Sequence, residues 1–402
     1  MTRSFLASLR RFGPLLLIVL LIAVVWAVME WKSYSSDPTS YPEVQEIGVR
    51  SDWQFQELST YFQRLADEKG ALYAYEVLRY APFPEGVDIH LLGHVVGDML
   101  YEQQGIQGIH SCTQEFRNAC SHSVVIGMLT EYGEGSLSDI AATCMEAPGG
   151  KGAYTMCFHG LGHGVLAFNG YDFEKAVGMC ERTGTPAYNN REAHECIGGM
   201  MMEMIAGVHD REVWQTQVAQ YFKKNDPLYP CNADFVPDEA RYTCYSYLTP
   251  YLFGQASIDL DAPDPALYST AFSYCEPLSG SSREACYGGF GKEFIVLAND
   301  RDIRTVGALS TEQLQKVHEW CESAGVADGE VFCKSSALAS LFWGGESDPE
   351  VSFAFCALSE QSTQESCYRE LGSAIRYYLG NTVRGDALCR KMPDQYRNFC
   401  SI

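Results

Sequence analysis

Five histidines carry the chemistry that this sequence offers most clearly. His90 and His94 stand four apart in HLLGH, His159 and His163 stand four apart in HGLGH, and His122 lies in CSHS. Four residues make about one helical turn, so each pair presents two imidazoles from one helix face. Nine histidines scattered at random over 402 residues would give roughly 0.2 pairs at this spacing, and two are present. The register is shared as well. His122 follows Cys120 by two positions, and His159 and His163 follow Cys157 by two and six. Aligning HLLGH with HGLGH puts His90 and His94 in the same two slots. Imidazole suits zinc, copper and iron, and an i, i+4 pair can bind one ion from two sides. The expected centre is therefore a transition metal ion (Zn, Cu or Fe) on His90, His94, His122, His159 and His163. Asp98, Glu131 and Glu203 are candidates to complete the sphere or to act as a base. Met202 falls in the slot of His163 and would suit copper. A single buried histidine is more often a core side chain bonded to a carbonyl; it is the repeated register that points to metal. His110, His194, His209 and His318 share no register and read as structural or surface residues.

The elements that must position these rings are marked by sixteen cysteines, all after residue 111. Short gaps of 8 to 16 positions join Cys112–Cys120, Cys144–Cys157, Cys180–Cys196, Cys231–Cys244, Cys275–Cys286, Cys321–Cys333, Cys356–Cys367 and Cys389–Cys400. Gaps of 22 to 35 separate the pairs, and the second cysteines recur every 33 to 48 residues. Such periods mark stacked helical hairpins. Each second cysteine opens an apolar, small-residue stretch, such as Cys157-FHGLGHGVLAFNG or Cys286-YGGFGKEFIVLA, that reads as a buried helix. A polar break and a second helix lead to the next first cysteine. Asp172 can cap DFEKAVGMC, Ser310 with Gln313 forms a capping-box pattern, and Pro265 suits a first turn. Each short-gap pair is expected to be a local disulfide, although sixteen cysteines permit many other pairings.

Residues 12–29 are apolar and uncharged, long enough for about 27 Å of helix, and follow Arg3, Arg10 and Arg11. They read as a transmembrane anchor with the body outside the cytosol, in periplasm, at the cell surface or in a secretory lumen; a cleaved signal peptide would give the same compartment. The expected organisation is a cytoplasmic tip and anchor over 1–31, a stalk over 32–50, an N-terminal helical cap over 51–87 and the disulfide-stapled array over 88–402. The fold class is all-α, an αα-hairpin solenoid with one N-terminal transmembrane helix.

The pattern C-x7-C-x2-G with a further cysteine about 23 residues on, clearest from Cys157 through Asp172, Phe173, Glu174, Lys175 and Ala176 to Cys180, resembles the cysteine-rich Sel-like repeats, relatives of tetratricopeptide repeats. The likeness spans about 290 residues. It implies a right-handed solenoid that binds partners on its concave face, and no specific activity. The varied short gaps and the His-Gly elements depart from that family's pattern.

A formal net charge of −22 excludes a nucleic-acid partner, which would need a basic face. CxxC, HExxH, GxSxG, P-loop and dinucleotide fingerprints do not occur, and bridged cysteines cannot serve as nucleophiles. Three readings follow. A metal-binding protein that could be a metalloenzyme is favoured. A non-enzymatic scaffold binding protein or envelope polymer, with structural histidines, is the rival, and bis-histidine haem ligation is the third.

Overall fold

The computed structural model describes residues 38–84, 87–206, 216–223, 225–260, 262–344 and 349–400. The expected membrane anchor lies outside the described residues, and among those no helix is long and apolar enough to cross a membrane. The described chain is all-α, with one isolated bridge between Lys223 and Asp226. Its described residues divide into two compact units, one within 38–52 and 76–84, the other within 53–75 and 87–400.

The first unit contains α1 (Pro42–Val49), where a stalk was expected. Proline at the first helical position is preorganised for a helix rather than for a linker, and Val44 and Ile47 are buried one turn apart. The segment expected as a single cap over 51–87 is divided. Its helices are α2 (Phe55–Lys69) and α3 (Ala71–Tyr80), and the division between units falls inside α3. In α2 a capping box between Gln54 and Glu57 closes the first turn, and Leu58, Phe62 and Leu65 are buried at helical spacing.

The second unit runs α4 (Ile89–Gln104), α5 (Ala119–Tyr132), α6 (Leu137–Glu146), α7 (Gly150–Phe168), α8 (Phe173–Glu181), α9 (Arg191–Ala206), α10 (Asp238–Tyr247), α11 (Thr249–Gln255), α12 (Tyr268–Ser273), α13 (Gly280–Ala298), α14 (Thr311–Glu322), α15 (Ala327–Gly344), α16 (Glu350–Leu358), α17 (Gln361–Leu379) and α18 (Val383–Lys391). Helices α4, α5, α7, α9, α10, α13, α15 and α17 pack each on the next, in that order. All but α4 carry the second cysteine of a pair. The intervening helices α6, α8, α14 and α16 end at or near a first cysteine and pack against the helix that follows. The result is a repeat-like array in which contacts run between neighbours. Asp172 and Ser310 cap α8 and α14 as their positions predict.

All eight short-gap pairs are disulfides, with Cα atoms 5.4–5.8 Å apart. A closed loop of this length contributes roughly 2.5–3 kcal/mol each in the chain-entropy model. Eight bridges also call for an oxidising compartment. Between them the helices touch backbone to backbone. A methyl group on Gly162 of α7 would lie 1.9 Å from the Cys196 carbonyl oxygen of α9, and one on Gly199 would lie 1.8 Å from the His159 carbonyl oxygen. Only glycine lets α7 and α9 approach this closely, and that approach sets the position of the histidines on α7.

Candidate metal centre

Helix α4 carries His90 and His94, α5 carries His122, and α7 carries His159 and His163. Because the three helices are neighbours in the array, the five rings meet. Ring centroids are 4.8 Å apart for His90–His94, 5.4 Å for His94–His122, 5.5 Å for His122–His159, 5.3 Å for His159–His163 and 5.6 Å for His94–His163. His94, His122, His159 and His163 are buried, and His90 is partly so. Gly160 makes the α5–α7 approach workable, since a methyl there would fall 2.4 Å from the Cα of His122.

Four of the rings are held at Nδ1. His90 donates to the Phe116 carbonyl at 2.7 Å. His163 donates to the Glu203 carboxylate at 3.3 Å, and the Tyr171 hydroxyl donates to the other oxygen of Glu203 at 2.9 Å. Ser123 Oγ lies 3.4 Å from Nδ1 of His94, and the Tyr247 hydroxyl lies 3.4 Å from Nδ1 of His159. An imidazole that gives its Nδ1 proton away keeps its Nε2 lone pair, which is how outer partners fix metal-ligating histidines. The Nε2 atoms of His90 and His94 are 3.3 Å apart. Two ligands of a tetrahedral ion at 2.0–2.1 Å stand about 3.3–3.4 Å apart. The same distance also serves an N–H···N bond between neutral rings. His90, His94 and His122 each offer a nitrogen within 4.8 Å of the others, so the three form a buried group able to hold an ion.

His122 differs from the rest. Among the described residues neither ring nitrogen finds a side-chain hydrogen-bond partner, although the residue is fully enclosed; the Met156 backbone is the one group there that favours its charged form. Leaving a buried polar group unsatisfied costs about 1–3 kcal/mol. Burial pushes His90 down to about 4 and holds His122 and His159 well below the ordinary histidine value, with repulsion among the rings adding to it. These three rings are therefore neutral at pH 7, the form that binds metal.

The segment before α5 has an unusual backbone. Phe116, Arg117 and Asn118 take φ values of 56°, 53° and 64°, three successive non-glycine residues in the left-handed region. Each such residue costs of order 1 kcal/mol, and such strain tends to collect at functional sites. The Cys112–Cys120 bridge brackets this turn and the Phe116 side chain is buried, so the surroundings hold it. It aims the Phe116 carbonyl at His90 and places Arg117 on the wall of a cavity.

That cavity, of about 390 Å³, opens beside the cluster, with His90, His122 and His159 on its floor. Ile205, Leu260 and Val296 are among its apolar walls, and Arg117, Lys292 and Arg301 supply positive charge. Met202 also lines it, whereas Met200 and Met201 turn their sulfurs onto the Cys180 and Cys244 bridges in the core. Glu203 is buried on His163 as described. Asp98 and Glu131, expected as further ligands, are exposed instead. A residue four past His94 sits about 6 Å further along the axis, where α4 faces solvent, and Glu131 at the end of α5 accepts from the Tyr101 hydroxyl at 2.7 Å. Of the unaligned histidines, His110 pairs with Glu146 at the surface, and His318 bonds the Phe355 carbonyl and stacks on the Phe355 ring at 4.1 Å. His209 lies outside the described residues.

The sequence reading missed Phe116, Ser123, Tyr171, Tyr247 and Arg117. Ser123 adjoins His122 and could have been found there; the others come from loops and distant helices, with no local signal. Compared with protein-family models, with curated proteins and with solved structures, the chain matches none, so its resemblance to Sel-like repeats remains one of cysteine spacing.

Proposed function

We propose that this is a metal-binding protein of an oxidising compartment, holding a divalent first-row transition ion on His90, His94 and His122, with His159 and His163 beside it. The observation that carries the reading is the division of labour on the rings: Nδ1 engaged on His90, His94, His159 and His163, and an enclosed His122 whose ring nitrogens have no side-chain hydrogen-bond partner among the described residues. A set of three neutral imidazoles suits zinc, copper or iron, and a fourth position facing a cavity is the arrangement of a catalytic rather than a structural ion. On that ground we extend the proposal to a metalloenzyme acting on a small molecule. The 3.3 Å between Nε2 atoms on one helix favours ligands side by side on one ion over ligands on opposite faces of a haem. The apolar run 12–29, after Arg3, Arg10 and Arg11, supports a membrane tether for the body.

Elemental analysis tests the reading. The chain purified without chelator, or equilibrated with zinc, copper or iron and then desalted, should hold about one ion. His94→Ala with His122→Ala should abolish binding while near-neighbour disulfides stay formed. Wild-type protein that retains no transition metal after equilibration would end the proposal.

A further inference from the structure

The donor atoms around the centre change kind at its open side. Of the twelve methionines, Met156 and Met202 are partly exposed and line the cavity together with His90, His122 and His159. Met200, Met201 and Met204 are instead fully buried in the core. Met156 and His159 are three residues apart on α7 and share a face of that helix. Met202 is the sixth residue after Cys196, the slot that His163 fills after Cys157. It stands one turn past Gly198 on α9, where a methyl group would fall 3.3 Å from Nδ1 of His159.

Met156 also adjoins His122, since its backbone is the group that favours the charged form of that imidazole. His122 is enclosed, lines the cavity, and has no side-chain hydrogen-bond partner for either ring nitrogen among the described residues. The two carboxylates on the lining are both engaged. Asp88 caps α4 by accepting from the Leu91 amide at 2.9 Å, and Glu293 pairs with Lys292 at 3.3 Å. Burial pushes the Tyr247 phenol well above its usual value, so it offers no phenolate. All sixteen cysteines are bridged, so no thiolate is on offer either. What remains at the open side is imidazole with thioether. Thioether is a soft ligand that favours copper(I), whereas carboxylates and waters suit harder ions.

We infer that the centre takes copper(I), with the thioethers of Met156 and Met202 closing on the ion from the cavity above the imidazoles. The inference rests on the reading of His90, His94 and His122 as ligands. It adds a preference: imidazole alone carries a divalent ion, and the thioethers make copper(I) the ion held most tightly. Methionine suits this task. Its three rotatable bonds let the sulfur reach an ion without distorting the helix that bears it. In an oxidising compartment it also stays available where a thiol would be consumed by bridging. The cavity gives the ion an entry path.

Titration of the full chain with copper(I) under argon, against the chromophoric chelator bicinchoninate, tests it beside a zinc titration against a zinc chelator. Wild type should take up about one copper(I) and hold it about tenfold or more tightly than zinc. X-ray absorption at the copper edge should show sulfur in the sphere alongside nitrogen. Met156→Leu with Met202→Leu conserves volume. The pair should weaken copper(I) about tenfold or more, remove the sulfur scatterer and leave zinc uptake at the wild-type level. Copper(I) held no more tightly than zinc, a sphere of nitrogen alone, or sulfur that persists in the double variant overturns the inference. So does an equal loss of both metals in that variant, the mark of methionines that only pack. Stoichiometric zinc with no copper(I) uptake overturns it and leaves the metal reading standing. A wild-type chain that takes up neither ion overturns both.

Discussion

Gly162→Ala is the sharpest test of how the centre is built. The new methyl would lie 1.9 Å from the Cys196 carbonyl oxygen and near 2.9 Å from the Met200 amide nitrogen. Ordinary contact begins near 3.4 Å, so α7 and α9 must part by about 1.5 Å, and both obstructing atoms are backbone that no rotamer can move. Overpacking of this kind costs about 1–3 kcal/mol, with rigid neighbours at the upper end. Alanine returns about 1 kcal/mol of helix propensity, leaving a net loss of about 2 kcal/mol. For a chain of 402 residues, with an unfolding entropy of about 0.8 kcal/mol/K, that lowers the melting temperature by about 2–3 °C. Gly178→Ala is the control: it sits in α8, exposed, with nothing within 4 Å of the added methyl, and should stabilise by about 0.5–1 kcal/mol. Differential scanning calorimetry at pH 7.5 under non-reducing conditions reads both. If Gly162→Ala melts at or above wild type, as Gly178→Ala should, the two backbones are not in contact and the account of how α7 is placed is wrong.

Acid should weaken the fold in a defined window. Burial, with the Lys334 charge, pushes His318 down to about 4, below its value near 6.5 in an unfolded chain. The unfolded state therefore takes up the proton first, so this stability is whole above pH 6.5 and is lost as pH falls toward 4. The loss reaches roughly 3 kcal/mol, and urea titrations should show a shallower acid decline in His318→Gln. Glu203→Gln removes the charge that orients His163, the ring beside the three ligands, and chelator competition should show metal affinity lowered by less than about tenfold; a 10–100-fold loss, as outer partners of direct ligands give, would make His163 a ligand itself. Cys112→Ser with Cys120→Ser frees the loop that brackets the left-handed turn, and chemical denaturation should show a loss of about 2.5 kcal/mol.

What could be read without coordinates was whatever repeats. The cysteine pairs were legible because each brackets one turn between two helices, and the five histidines because their register against Cys120 and Cys157 places them side by side. The glycines of HGLGH were legible as small, but which backbone each admits was not, since that depends on the facing helix. The turn at Phe116, Arg117 and Asn118 was not legible. Of the three only Asn118 is a residue type that takes a positive φ readily, and the left-handed Phe116 and Arg117 are held by a buried ring and a disulfide rather than chosen locally. Pro42 misled for a different reason: proline ends many segments but also begins helices, and only the burial of Val44 and Ile47 decides between the two. Asp98 lies exposed because its side of α4 turns to solvent one turn past His94, while Leu100 on the other side stays buried.

The bridges have a meaning for biogenesis as well. Every cysteine is joined to its immediate neighbour in sequence, eight to sixteen residues away, while the following pair lies 22 or more residues further on. A thread delivered end first through a translocation pore therefore exposes each thiol to its proper mate before a third competitor arrives. Oxidation in order of appearance yields the native set with no reshuffling, and the bridges on α5 and α7, two of the three helices that carry the imidazoles, close before the second half of the chain has emerged.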